Sequence, residues 1–377
     1  MNSGPRNIVI DLVKGLAIIL MVLGHTGFIY TRAIYLFHMP VFFLASGYLF
    51  QTSASETVSD LKSLCRKRFF SLYLPCLLWN MAFLLLHNFF YCWGLEADPL
   101  PGTTAGDWPL QLPPVISADF WGIVAQTCCL FLYSEPFAIV SWFFRALLLA
   151  NIGFAVIHYL ALRLCPRHSM ILSLGLCFSL LFVSFHHHAA LEAYGVGAAL
   201  SSLIFFPLGI LLRKAHLPQT SLGSLAALLA GMGALLLLNP NGDVTLSHNE
   251  YTHPFFLIAT ALGGWYFLWG VGVLCSRFGR LASWISYPAT HSIPILFLHL
   301  LCMKATALLW IHANGQPISA LNDLLTEKWW WIVSFPVGLV LPLLLLQSWN
   351  ALVHGCRRLL RLHPSDLAEP TTPIEKQ

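Results

Sequence analysis

Residues Ile8 to Ile29 read IVIDLVKGLAIILMVLGHTGFI, an apolar run broken only by Asp11, Lys14 and His25 among ionisable side chains. About 20 such residues cross the ~30 Å hydrocarbon core of a bilayer as a helix. A helix turns about 100° and rises roughly 1.5 Å per residue, so eleven steps from Lys14 return to within about 20° of one face at His25, roughly 16 Å away. Asp11 lies roughly 40° from His25 by the same arithmetic. An acid, a base and an imidazole therefore share one stripe at membrane depth. Ionisable groups are costly there and face a bundle interior or a wet cavity, which makes the stripe a candidate functional site. The alternative is a polar packing contact with Lys14 reaching for the interface.

The rest of the chain fits this reading. Of 377 residues 57% are hydrophobic and only 10% charged, with a mean hydropathy of +0.72. Soluble domains carry about 25% charged residues. The expected fold is all-α, a polytopic membrane bundle of about ten helices. Apolar runs place spans near 8–29, 33–50, 69–93, 138–162, 169–187, 194–212, 222–238, 254–275, 285–310 and 329–348. Residues 1–350 form the transmembrane domain and 351–377 a cytoplasmic tail.

Charge tests the count independently. With the N-terminus inside, inward segments hold Arg6, Lys62, Arg66, Lys67, Arg68, Arg163, Arg167, Arg213, Lys214, Arg277, Arg280, Arg357, Arg358, Arg361 and Lys376. These are fifteen of the twenty Lys and Arg, whereas outward segments hold only Arg32 and Lys328. Positive charge stays on the cytoplasmic side of membrane proteins, so ten spans with both termini inside is the expected topology. One span more or fewer would invert every later loop.

The outward segment 94–137 has five carboxylates and no Lys or Arg, and is broken by Pro99, Pro101, Pro109, Pro113 and Pro114. Within it, ISADFWGIVAQTCCLFLY (116–133) is short for a span and fits an interfacial or re-entrant helix. Tryptophans near span ends, including Trp329-Trp330-Trp331, read as headgroup anchors and not as platforms for nucleic-acid bases. Ten cysteines without a CxxC pair support neither a disulfide framework nor structural zinc. His186-His187-His188 point in different directions on a helix, which disfavours a three-ligand metal site, and no metal is expected. No Walker A, GxGxxG or GxSxG signature occurs.

Several stretches together resemble the acyltransferase-3 family, and within it the fucose 4-O-acetylase-like branch. They are RNIVIDLVKG (6–15), Gly24-His25, FHMPVFFLASGY (37–48), KRFF (67–70) leading to Pro75 and Trp79, SWFFRAL (141–147), and SYPATHSIPILFLH (286–299). The first fifty residues carry most of the likeness, and 150–250 is generic hydrophobic sequence. The resemblance implies an integral bacterial inner-membrane O-acyltransferase. Its donor would be cytoplasmic acyl-CoA, usually acetyl-CoA, and its acceptor a sugar hydroxyl of a surface or lipid-linked glycan. Lys14 occupies the position of the family's basic residue and His25 that of its essential histidine. A second arginine often found a few residues into the third span is replaced here by the region of Ser71 and Tyr73.

The residues support that chemistry by themselves. A hydroxyl attacking a thioester must lose its proton, and imidazole, with an unperturbed pKa of ~6.5, suits a base at neutral pH. His25 takes that role. Acyl-CoA is polyanionic at its nucleotide, so Lys14, Arg66, Lys67 and Arg68 form a candidate cofactor mouth on the inner side. Arg145, in an apolar span, is a candidate for the developing oxyanion; its alternative is an ion pair with Asp11 or Glu135. His38, before Met39-Pro40, either orients the acceptor or bonds backbone at a turn. His299, within the ninth span, reads first as core packing and second as a candidate behind the site, and Ser46-Gly47 as a place of close helix approach. A multi-span transporter or flippase is the rival class. Transporters of that kind show paired interrupted spans, and no internal repeat is seen here.

Overall fold

A computed structural model describes residues 7–95, 117–193, 195–217 and 219–359. The 96–116 part of the acidic outward loop and the tail from 360 lie outside the described residues. All ten predicted spans fall on helix. Helix α1 is Ile8–Gly24, and Asn7 starts it by accepting the Val9 N–H at 3.0 Å. The second span is broken into α2 (Thr31–Tyr35) and α3 (His38–Leu49). Next come α4 (Val58–Arg68), opened by a Thr57–Asp60 capping box, a π-helical turn at Phe69–Tyr73, and α5 (Leu74–Cys92). These three run on as one 35-residue helical stretch, roughly 52 Å long and more than a bilayer core needs.

The segment expected to be interfacial or re-entrant holds α6 (Ser117–Cys128), twelve residues and too short to cross. Its far end meets the π-helical turn just before α5, because Tyr73 donates its hydroxyl to the Cys128 carbonyl at 2.7 Å. Seven residues later Glu135 bonds His87, on the fourth turn beyond Tyr73. From Cys128 to Glu135 the chain therefore runs alongside α5, from its start toward its far end. Helix α7 (Ser141–Leu164) follows, then α8 (Ser169–His186), α9 (His188–Ala193), α10 (Gly197–Ser202), α11 (Phe205–Lys214) and α12 (Ser221–Leu238). A small hairpin pairs β1 (Val244–Thr245) with β2 (Glu250–Tyr251). The last elements are α13 (Pro254–Cys275), α14 (Gly279–Thr290), α15 (Ser292–Ala313), α16 (Ala320–Thr326) and α17 (Trp331–Leu359). The predicted 285–310 span is thus two helices, and the crossing one begins at Ser292.

Among the described residues, eight helical stretches are long and apolar enough to cross a membrane, and the protein is an all-α polytopic membrane protein. The first span falls one residue below that length and the second is interrupted at Leu36–Phe37, yet both pack inside the bundle. Loops assigned to one side meet one another: Arg32 pairs with Asp243 at 2.6 Å, Gly94 lies on Ile318, and Gly27 lies near the Leu325 carbonyl. At the other end Arg213 donates to the Tyr48 and Phe50 carbonyls at 2.9 and 2.8 Å, and Arg277 to Ser221. Small residues allow the tight crossings that hold the centre. A methyl group on Gly47 would sit 2.5 Å from the Phe205 carbonyl oxygen, and one on Gly15 would collide with Ile285. Without a hydrophobic force between helices in lipid, such close packing is what holds α1 to α14 and α3 to α11.

Candidate active site

Helix α1 ends at His25, whose backbone leaves the helical region and whose N–H still bonds back to Val22. The turn that follows needs a left-handed residue, supplied by Gly27 at φ +71°. It returns the chain so that Tyr35 reaches the end of α1. The Tyr35 hydroxyl donates to the Gly24 carbonyl at 3.3 Å and lies 3.5 Å from His25 Nδ1.

Two further imidazoles have fixed orientations. His38 Nδ1 donates to the Ile34 carbonyl, and His299 Nδ1 to the Ile295 carbonyl, each at 2.9 Å. A carbonyl only accepts, so in both neutral rings Nδ1 carries the proton and Nε2 the lone pair. His299 Nε2 is buried and has no hydrogen-bond partner. The His25 and His299 ring centroids are 5.3 Å apart, and those of Tyr35 and His38 5.2 Å.

Arg145 enters from α7. Its Nη1 donates to the Phe131 carbonyl at 2.8 Å, and its guanidinium lies flat against Gly195, where a methyl group would come within 2.6 Å of Cζ. Gly195 also has φ +62°, so two constraints reserve this position for glycine. The start of α7 is held by buried polar contacts. Asn80 donates to Ser141 at 2.7 Å and accepts the Glu135 N–H at 3.3 Å. Glu135 pairs with His87 at 3.0 Å and accepts from Tyr133 at 3.1 Å, with His87 and Glu135 both buried. Burial pushes the Glu135 carboxyl above its ordinary 4.5, and the His87 hydrogen bond opposes that rise.

The β1–β2 hairpin forms the roof. Its corner residue Asn249 is left-handed (φ +57°) and buried; it donates to the Ser184 carbonyl at 3.2 Å and accepts from Ser201 at 2.6 Å. Ser201 also bonds the Tyr251 hydroxyl at 2.9 Å, and burial pushes that phenol up to about 12.

These parts enclose a cavity of about 230 Å³ lined by His25, Tyr35, His38, Arg145, His248 and His299, by Ser134 and Thr245–Ser247, and by apolar Met21, Met39, Phe42, Phe143 and Leu296 among others. The predicted trio His25, His38 and Arg145 meets here. Lys14, Arg66, Lys67 and Arg68 do not line it. Lys14 is half-buried on α1, roughly 16 Å of helix away from His25. Arg66 borders a separate groove. His38 bonds backbone, one of its two expected alternatives, and it also lines the cavity. Glu135, one of the carboxylates considered for Arg145, pairs with His87. Tyr35, His248 and Ser134 were not foreseen. A tyrosine ten residues after His25 gives no periodic signal, and the other two lie in irregular loops. Among the described residues, no three His, Cys, Asp or Glu side chains group to hold a metal ion.

A cavity that gathers several imidazoles and a guanidinium can take a proton from a hydroxyl and stabilise an oxyanion. Comparison with known proteins agrees. The family model described as an acyltransferase domain matches residues 7–347. Nodulation protein NolL of Sinorhizobium fredii (strain NBRC 101917 / NGR234) is 39% identical over 96 residues, 21% of this chain and 24% of that protein. The chain thus matches about a quarter of that relative's length. No solved structure matches.

Proposed function

This chain belongs to the acyltransferase-3 family, and from that premise we propose that it moves an acetyl or other short acyl group from cytoplasmic acyl-CoA to a sugar hydroxyl of an exported or lipid-linked glycan. His25 takes the hydroxyl proton as the oxygen attacks the thioester carbonyl. Arg145 faces the oxyanion. As the C–S bond breaks, the imidazolium returns the proton to the departing thiolate, leaving an ester and free CoA. The observation that carries this reading is the meeting of His25 and Arg145, from helices far apart in sequence, on one cavity. General-base help is worth roughly 10²–10⁴ in rate, and one oxyanion donor about 10²–10³.

The same reading puts the protein in a bacterial inner membrane with both termini cytoplasmic. CoA then binds at the inner side, through Lys14 and the Arg66–Arg68 run, and the glycan acceptor docks from outside. Lipid surrounds the bundle. The test is whether purified protein releases CoA from acetyl-CoA and moves the acetyl label to a glycan extract. Binding without turnover in the presence of a full extract of lipid-linked sugars would count against it.

A further inference from the structure

We infer that the groove between the α4–α5 helix and α7 holds the acyl-pantetheine arm of the donor, with the nucleotide at Arg66 and the thioester at Arg145. This rests on the acyl-CoA reading above. The groove has a volume of about 600 Å³ and is distinct from the catalytic cavity. One wall runs from Arg66 to Tyr73, the other from Leu148 to Ile152, and Cys128–Leu130 form its floor. Arg66 to Tyr73 is seven residues, roughly 10 Å of helix, and Leu148 to Ile152 four residues, roughly 6 Å. The two helices run in opposite directions, which sets Arg66 beside the Ile152 end and Tyr73 beside the Arg145 end. Arg66 thus lines one end of an apolar slot, and Arg145, one turn before Leu148 on α7, lies beyond the other end in the neighbouring cavity.

That pattern matches acyl-CoA in order: a polyanionic nucleotide, a long uncharged arm, and a carbonyl that gains negative charge during reaction. A membrane lipid would match the slot and the outer guanidinium, but has no group that uses Arg145. Three local distortions fall on this groove. The π-helical turn Phe69–Tyr73 widens one wall, and such turns concentrate at functional sites. Leu130 and Phe131 are both left-handed, at φ +53° and +58°, although neither is glycine; backbone strain of this kind also collects at sites of function. Phe131 stands between the two spaces. Its carbonyl accepts from Arg145 on the cavity side, and its ring packs on Tyr73, 5.3 Å between centroids, on the groove side.

Cys128 and Cys129 are exposed free thiols in the floor and report occupancy. Full-length protein is alkylated with N-ethylmaleimide and each cysteine is followed by peptide mass spectrometry. The probe is desulfo-CoA, which carries nucleotide and arm but no thiol to consume reagent. At ten times its dissociation constant about one site in eleven stays free, so alkylation of both residues should slow about tenfold. Adenosine 3′,5′-bisphosphate, lacking the arm, should bind without protecting them, and exposed Cys92 should react alike throughout. Calorimetric binding of desulfo-CoA with unchanged alkylation would overturn the groove and leave the acyl-CoA reading standing. Equal protection by the bisphosphate would overturn the placement of the arm. No binding of either would remove the acyl-CoA reading itself. As a second measure, Ile152→Trp, at a half-buried lining position, should weaken desulfo-CoA at least tenfold, about 1.4 kcal/mol, with bisphosphate affinity unchanged. Unaltered desulfo-CoA affinity in that variant contradicts the proposal even if the thiols prove unreactive.

Discussion

The rings of His25 and His299, from the first and fifteenth helices, lie with centroids 5.3 Å apart, and the tautomer of His299 is fixed by its own helix. An unpartnered, buried Nε2 is destabilising by about 1–3 kcal/mol, and an apolar group of similar shape in its place is nearly neutral or stabilising. His299→Phe should therefore keep or raise the melting temperature while kcat/KM falls roughly 10–100-fold, the value of a lost hydrogen bond to substrate. A destabilised but fully active variant would show that His299 serves packing.

The basic residues expected to bind donor phosphates separate in the structure. Lys14 is on α1, and Arg66, Lys67 and Arg68 each point about 100° from the next on α4. Neutralising Lys14 or Arg68 should raise the KM for acyl-CoA more than it lowers kcat, because charge-assisted phosphate contacts act in binding. Unchanged CoA affinity by calorimetry in both variants would reduce these residues to topology signals.

The Glu135–His87 pair anchors the start of α7 and so the approach to Arg145. Burial raises the Glu135 carboxyl above 4.5 despite the His87 bond, so between 4.5 and that raised value the folded protein holds more protons than the unfolded chain. The resulting stability is complete below 4.5 and is lost as pH rises through the folded value. Glu135→Gln should flatten this part of the pH–melting curve in detergent. A slope unchanged by the substitution would assign it to another group.

Sidedness follows from charge. A cysteine at Gly106, which lies outside the described residues, should react with an impermeant maleimide added to intact cells, and one at Ser63, exposed at α4, should not. The reverse labelling would invert both the topology and the direction of transfer.

Much of this was legible because its signals are local. Helix positions follow from apolar runs, alternation follows from Lys and Arg, and His25, His38 and Arg145 sit in short stretches with a recognisable order. The roof was not legible. Its strands are two residues each, too short for periodicity, and Asn249 is fixed by Ser184 and Ser201 across 65 and 48 residues of sequence. The break at Leu36–Phe37 was hidden because apolar composition is the same whether a helix continues or turns; the close seat of Phe37 on Gly264 is a tertiary contact. His299 read as core, since its value comes from the ring it faces and not from its neighbours in sequence.

The most direct measurement is transfer of labelled acetyl from acetyl-CoA to the glycan acceptor by wild type and His25→Ala, matched for membrane insertion and melting temperature. The imidazole lines a cavity, and the backbone N–H that closes the helix end is kept in alanine, so its loss should leave the bundle folded and lower transfer by roughly 10²–10⁴. Transfer at the wild-type rate by a folded His25→Ala protein would contradict the assignment of His25 as the base.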